Sequence, residues 1–392
     1  MMNYRFLLCG LIGFLGFALI SLPKSSIAGE VLFVPGIVLS AEYDDNVDFR
    51  SDSHNAKDDF AGSAIPNTRI EYNTERIKLN GQAEIDFKKY LNQTDFDRTN
   101  QLYQIDTEYQ AHSRWTLSGN YEFRRDETTD SQFEETGRTF NRRREKRHSA
   151  GAGVRFAVTE LTDIGSFVSY RRSDFSSSED VDYDFYTIEF PFLKKFQNQI
   201  DTIRIAPGYS RYNSDNNEKA DDYRLTFGWS RLISETLTFD MTVGPRYTRV
   251  ENENGEKNGN ISGVGEIGLA KRGETFTGDI RLSRDLRVTT DGRLINVDRF
   301  LMFVDKKVTE RFGTRFRGNA YYSNRENDDE PDDKVFSYEL IPSIYYMLTE
   351  NNFVELSYDY RNQRELDEPG NPTTQRNRVI LFFNFAFPRK WD

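Results

Sequence analysis

Cysteine is nearly absent: the 392-residue chain has one, Cys9, inside an apolar run near its start. Leu8 precedes it and is too large for a lipoprotein cleavage site, so no lipid anchor is expected there. Cys9 lies in a segment with the form of a cleaved signal, so the mature chain is expected to carry no thiol, which excludes a disulfide framework, a Cys-ligated metal and a Cys nucleophile. Long apolar stretches are missing too. After residue 28 no run of eighteen apolar residues remains, and the mean hydropathy is −0.72, so membrane-spanning helices are excluded. Histidine is scarce, with only His54, His112 and His148. No Pro/Gly linker, helical repeat or change of composition divides the chain.

The first 28 residues have the form of a secretory signal. Arg5 opens it, an apolar run follows from Phe6 to Ile20, and Ser26-Ile27-Ala28 places small residues at −3 and −1 of a cleavage before Gly29. The domain organisation expected is therefore a signal peptide over 1–28 and one domain over 29–392. Loss of Arg5 and Lys24 leaves 50 basic and 63 acidic side chains, a net charge of −13. Nothing in that balance suggests a nucleic-acid partner.

What is abundant is aromatic and glycine: 31 Phe, 21 Tyr and 26 Gly. They fall in a period-two pattern. Trp115, Leu117, Gly119, Tyr121 and Phe123 alternate with Thr116, Ser118, Asn120, Glu122 and Arg124, so one strand carries an apolar and a polar face. The pattern recurs around Leu79–Phe87, Tyr223–Trp229, Phe239–Val243, Phe276–Leu282 and Val354–Tyr358. Connections alternate between short turns (near Thr74, Ser113, Glu160, Glu235, Lys271, Thr309 and Thr349) and long charged loops (44–59, 125–146, 213–221, 251–258, 325–334 and 362–376). That asymmetry separates an outer-membrane barrel, with periplasmic turns and external loops, from a soluble sandwich. The fold expected is an all-β transmembrane antiparallel up-and-down barrel of about eighteen strands. An even count leaves both termini on one side. The segment 294–305 alternates poorly, which keeps sixteen as the alternative count.

In the last segment Leu381, Phe383, Phe385, Phe387 and Trp391 share a face. This resembles the aromatic C-terminal assembly signal of outer-membrane barrels, although Asp392 follows the final aromatic. The partners it implies are the barrel assembly machinery, outer-membrane lipid and lipopolysaccharide.

Candidate chemistry is thin. Gly263, Gly265 and Gly268 match G-x-G-x-x-G, but a dinucleotide site needs a helix to follow, and here a strand simply continues. His54, near Asp48, Asp52 and Asp58, and His148 fall in loops expected on the external side, and an ordinary solvated loop explains both better than catalysis does. Asp328, Asp329, Glu330, Asp332 and Asp333 lack the spacing of a calcium loop. No enzyme activity, metal or cofactor is expected.

The interior carries more. Inward positions of the early strands and of the one before last include Glu42, Glu71, Glu84, Asp86, Asp106, Glu108, Glu122, Glu355 and Asp359. Those of the middle strands include Arg155, Arg171, Arg204, Arg224, Arg246, Arg281, Arg315 and Arg317. Such charges cannot face lipid. They would form an acidic wall and a basic wall across an aqueous lumen, or pair and tie the wall together. Tyr90, Tyr321 and Tyr345, also inward, could stack on sugar rings or fill space.

The start of the domain, Pro35-Gly36-Ile37 leading to Tyr43-Asp44-Asp45-Asn46-Val47, followed by some eighteen regular strands, resembles the putative β-barrel porin 2 family. The resemblance implies a channel, found with exopolysaccharide systems, that exports a polysaccharide across the outer membrane with a periplasmic export protein as partner. A general diffusion porin, or a closed structural or adhesive barrel, is the alternative.

Overall fold

The computed structural model describes residues 29–391 apart from 51–55, 140–141, 178–179, 252–254, 326–333, 368–369 and 371. The signal segment, His54, the acidic loop 328–333 and Asp392 lie outside the described residues. Eighteen antiparallel strands follow one another around a ring. The first half is β1 (Glu30–Asp44), β2 (Asp59–Asn73), β3 (Ile77–Tyr90), β4 (Arg98–His112), β5 (Trp115–Glu127), β6 (Arg144–Thr159), β7 (Thr162–Phe175), β8 (Tyr183–Glu189 and Phe192–Lys195) and β9 (Asp201–Ser214). The second half is β10 (Lys219–Ser234), β11 (Leu237–Glu251), β12 (Lys257–Arg272), β13 (Phe276–Val288), β14 (Leu294–Lys307), β15 (Phe312–Arg325), β16 (Val335–Met347), β17 (Phe353–Glu365) and β18 (Thr373–Ala386, continued by Arg389–Trp391).

Proline explains the two strands that come in pieces. Pro191 has no N–H to give the ladder, so β8 breaks between Glu189 and Phe192, and both pieces pair with β7 and β9. Pro388 likewise separates the end of β18 from its short continuation, which pairs Arg389–Trp391 with Val31–Phe33. The ring closes where β18 meets β1, with Asp44 opposite Arg378 and Gly36 opposite Ala386. Closure leaves no sheet edge, which is what allows strands to stand in hydrocarbon.

Within this ring the alternation becomes two surfaces. Along β17, Leu356 and Tyr358 are exposed on the outside, while Glu355, Ser357, Asp359 and Arg361 are buried within. The outer surface elsewhere is Leu117, Tyr121, Val168, Tyr186, Tyr223, Phe227, Ile267, Leu282, Ile344 and their like. The strands are joined by short turns at the end that holds both chain termini and, for the most part, by longer connections at the other, the longest being 45–58 and 128–143.

This register makes a sharp expectation. Leu356 is 44% exposed toward lipid, and Glu355, 7% exposed, accepts a 2.7 Å bond from Arg315 Nη1 inside. Leu356→Arg should cost about 2–4 kcal/mol if it sits near the bilayer midplane. Glu355→Gln keeps an acceptor for Arg315 and should leave assembly nearly unchanged. Urea-unfolding midpoints in lipid vesicles measure both, and equal shifts would refute the register.

Candidate functional site: the lumenal plug

The long connection between β5 and β6 does not lie over the rim; it enters the barrel. Its helix α1 (Thr128–Thr136) begins directly at the end of β5 and is stopped by Gly137, whose φ of +69° and N–H bond to Phe133 O form a left-handed cap. No other residue fits there. A Cβ on Gly137 would lie 2.2 Å from Tyr321 Cβ and 2.5 Å from Ser337 Oγ.

Phe133, the helix's one large apolar side chain, is fully buried against Phe49, Ile295, Val297 and Tyr321. The rings of Phe49 and Tyr321 meet it edge-on at 6.1 and 5.7 Å, and the Arg361 guanidinium lies 5.0 Å over its face. Polar contacts fix the segment to the same side. Tyr321 Oη donates to Glu134 O at 3.1 Å, Ser337 Oγ to Gly137 O at 2.5 Å, and Arg138 Nε to Ser323 Oγ at 2.7 Å. Ile295, Val297, Tyr321 and Ser323 belong to β14 and β15, nine strands round from β5 and β6 in a ring of eighteen. The plug therefore crosses the lumen from one wall to the wall diametrically opposite.

A second insert comes from the β13–β14 hairpin. Its tip folds inward, so that Val288, Thr289 and Thr290 and then Leu294, Ile295, Asn296 and Val297 are buried in succession rather than alternately. Val288 and Leu294 pack with Tyr183, Tyr212, Ala220 and Val250 of β8–β11. Tyr212 Oη donates to Gly292 O at 2.6 Å, Val181 N to Thr290 O at 3.0 Å, and Arg246 to Asn296 Oδ1. Helix and hairpin thus each cover part of the lumen at the long-loop end.

Electrostatics hold the helix in place. Asp130, in its first turn, accepts from Arg361 Nη1 at 2.7 Å and Arg98 Nη2 at 3.0 Å, with Arg376 Nη1 at 3.6 Å and Arg378 Nη1 at 3.8 Å. Those arginines stand on β17, β4 and β18. One turn on, Glu135 pairs with Arg147, which also holds Glu145 at 2.9 Å. Burial by itself raises the Asp130 pKa, but the four guanidinium groups, Arg361 foremost, outweigh it and hold the carboxyl well below the usual range. Burial also opposes ionisation of Glu135, and Arg147 with the more distant Arg171 and Arg287 brings it down to about 2.

Both depressed values give a pH expectation with a definite sign. A carboxylate whose pKa is lowered with the helix seated stabilises that seating above its free value of about 4 and stops doing so only as pH falls through the lowered value. In Asp126→Asn/Glu134→Gln, which removes two neighbouring carboxyls, conductance at pH 4.5 should therefore equal that at pH 7.5. More openings at pH 4.5 would remove Asp130 and Glu135 as the latch.

The register places the charges expected inside as follows. Glu42 pairs with Lys88, Asp359 with Arg378, Glu71 with Arg69 at 3.1 Å, Glu108 with Lys78 at 3.8 Å and Glu122 with Arg124 at 3.7 Å. Asp106 accepts from Gln104 Nε2 at 2.9 Å, and Glu84 and Asp86 share their face of β3 with Lys88. Arg204 and Arg224 both reach Glu189, Arg246 lies 3.5 Å from Asp222, Arg281 3.3 Å from Glu266, and Arg315 2.9 Å from Asp305. Arg155, Arg171 and Arg317 stand at inward positions opposite Thr116, Ser149 and Phe303 or Ile341.

Acid and base thus meet within the wall as local pairs. Sequence reasoning missed Arg98, Arg361, Arg376 and Arg378 on the acidic side, and Glu189, Asp222, Glu266 and Asp305 on the basic side. All eight lie at inward parity, which is the signal that finds them. The three tyrosines are already engaged: Tyr321 by the helix, Tyr345 by Asp305 at 2.9 Å, and Tyr90 by Phe96 at 6.2 Å. His148 faces outward between Phe123 and Tyr121, and His112 sits at a turn beside Ser113. Gly263 and Gly265 face outward on β12, where they line an apolar hollow of about 590 Å³ with Val243, Leu282 and Phe300. Phe383 and Phe387 are exposed on the outer face, Phe385 shares it, and Trp391 meets Phe33 there at 6.3 Å.

A family model described as putative beta-barrel porin 2 matches residues 23–187, the stretch that carries the first-strand motif and the plug helix. No curated protein matches the chain. Solved structures that resemble it include OpdK of Pseudomonas aeruginosa with vanillate, at 10% identity and TM-score 0.47 over 91% of this chain and 99% of that one. OccK2 (OpdF) of the same organism in complex with glucuronate gives 10%, 0.46, 91% and 98%. The FrpB iron transporter of Neisseria meningitidis gives 6%, 0.42, 90% and 81%.

Proposed function

We propose that this chain, a porin-type outer-membrane barrel that resembles the putative beta-barrel porin 2 family over residues 23–187, is a gated conduit for export of an exopolysaccharide. The observation that carries gating is the helix Thr128–Thr136, seated across the full lumen on Asp130 and Phe133. A barrel of eighteen strands encloses an aqueous lumen by size alone. A general diffusion pore works by leaving a path through that space open, whereas here helix and hairpin each cover part of it at the long-loop end among the described residues. A device that is closed at rest suits cargo that must cross only when its synthesis or a periplasmic partner calls for it. The polysaccharide cargo itself is supported by the family resemblance, with passive passage of small solutes as the competing reading.

Disruption of the gene tests the cargo. Export predicts that surface polysaccharide is lost and accumulates in the periplasm, and that the intact gene restores it. Normal surface polysaccharide together with loss of uptake of a small solute would overturn export in favour of diffusion.

A further inference from the structure

We propose that the arginines around Asp130 form a binding station for carboxylate-bearing cargo, and that the plug's own carboxylate occupies it at rest as a stand-in. This rests on the gated-conduit reading and names its class of cargo: a glycan bearing uronic acid groups.

The geometry shows a site built from the wall. Arg376 gives its Nε edge to Asp44 at 3.0 Å, Arg378 its Nε to Asp359 at 3.0 Å, and Arg361 its Nε to Glu339 at 2.5 Å. Each wall acid thus fixes one edge of a guanidinium on β17 or β18. The remaining edges converge: Nη1 of all three arginines, together with Arg98 Nη2, points to the one carboxylate of Asp130. Arg361, Arg376 and Arg378 are all under 10% exposed, and Arg376 Nη1 makes no hydrogen bond of its own. If the helix withdraws, the wall acids keep the arginines in place, and a preorganised anion site remains at the lumenal surface. Planar guanidinium groups recognise carboxylate by directed N–H bonds. The station is therefore matched to the chemistry of its present occupant, and a neutral sugar offers it nothing equivalent.

Competition follows. A carboxylate on the cargo that takes the Asp130 position removes the helix's electrostatic seat, so cargo of the right charge favours its own passage. A ligand shifts such an equilibrium only through differential binding to the two states, and here that difference is large because the station is filled in the closed state and free in the open one.

The test uses the folded, full-length mature barrel in planar bilayers, with oligogalacturonate as the carboxylate-bearing probe and its methyl ester as the neutral one. Oligogalacturonate should raise the frequency of openings several-fold, and the ester should leave it unchanged. In Asp130→Asn, which removes the competitor, openings without probe should increase and half-maximal response should fall to several-fold lower oligogalacturonate. In Arg98→Gln/Arg361→Gln the response should vanish while heat-modifiable migration shows a folded barrel. Where that variant does not fold, Asp130→Asn decides the matter alone. Equal responses to acid and ester, or an unshifted half-maximal concentration in Asp130→Asn, would overturn the station. A barrel with residues 128–139 excised separates the two readings: there the station is free, so oligogalacturonate should bind in the lumen and block current where its methyl ester does not, and conductance that both probes leave alike keeps the conduit standing and removes only the station.

Discussion

Excision of residues 128–139, with Glu127 linked to residue 140 through a short Gly-Ser bridge, should raise single-channel conductance several-fold over the intact barrel. The helix joins opposite walls, and no described strand depends on it for pairing, since β5 and β6 form their own ladder from Trp115–Phe156 to Glu127–Arg144. Its removal exposes Arg98, Arg361, Arg376 and Arg378 to lumenal water, which solvates charges that lose Asp130 as their partner. It leaves an apolar patch of Phe49, Ile295, Val297 and Tyr321 uncovered, a modest loss against the ring of ladders that holds the barrel. Closure should therefore fail while the fold persists. Heat-modifiable migration confirms folding, and planar-bilayer recording measures the pore. A folded, excised barrel that conducts no better than the intact one would show that the hairpin alone closes the lumen or that no path exists beneath.

The architecture was readable because lipid enforces contrast. Outward positions such as Leu117, Tyr223 and Leu356 must be apolar, and inward neighbours such as Ser118, Arg224 and Glu355 face water or one another. Parity and loop asymmetry then give strand number and orientation. The weak alternation near 294–305, which left sixteen strands open as a count, has a physical cause. Leu294 to Val297 are covered on both faces because the hairpin tip bends inward, so the strand is present while its pattern is lost.

The plug was not readable for a related reason. Thr128-Thr129-Asp130-Ser131-Gln132-Phe133-Glu134-Glu135-Thr136 has one large apolar residue, and what buries it, Tyr321, lies 188 positions away. A polar nine-residue stretch in a charged loop looks like solvated surface unless the opposite wall is known. Gly137 as a helix stop was the available hint. The charged residues were legible by type and side, but their pairing depends on the register of neighbouring strands, and Arg376 was missed because the last strand begins before Arg378.

Deletion of Phe387–Asp392 should abolish assembly, leaving unfolded chain in the periplasm and no heat-modifiable band in the outer membrane. These residues finish the seam that makes the sheet a ring. Phe387 N donates to Pro35 O at 2.9 Å, and Arg389–Trp391 extend the pairing of β18 along Val31–Phe33. Without them the first strand has open backbone groups at its beginning on the side facing β18, and unpaired groups next to hydrocarbon cost several kcal/mol each. The same deletion takes away Phe387 and Trp391, the last outward aromatics of the row begun by Phe383 and Phe385. That row is the feature expected to present the chain to the barrel assembly machinery. A milder variant divides the two effects. Phe383→Ser/Phe385→Ser/Phe387→Ser keeps every ladder bond and changes only the outward face, so its failure to assemble in cells alongside normal folding into detergent would assign the row to recognition. Normal heat-modifiable migration of the deletion variant in cells would contradict both roles, because β18 through Ala386 would then close the ring unaided.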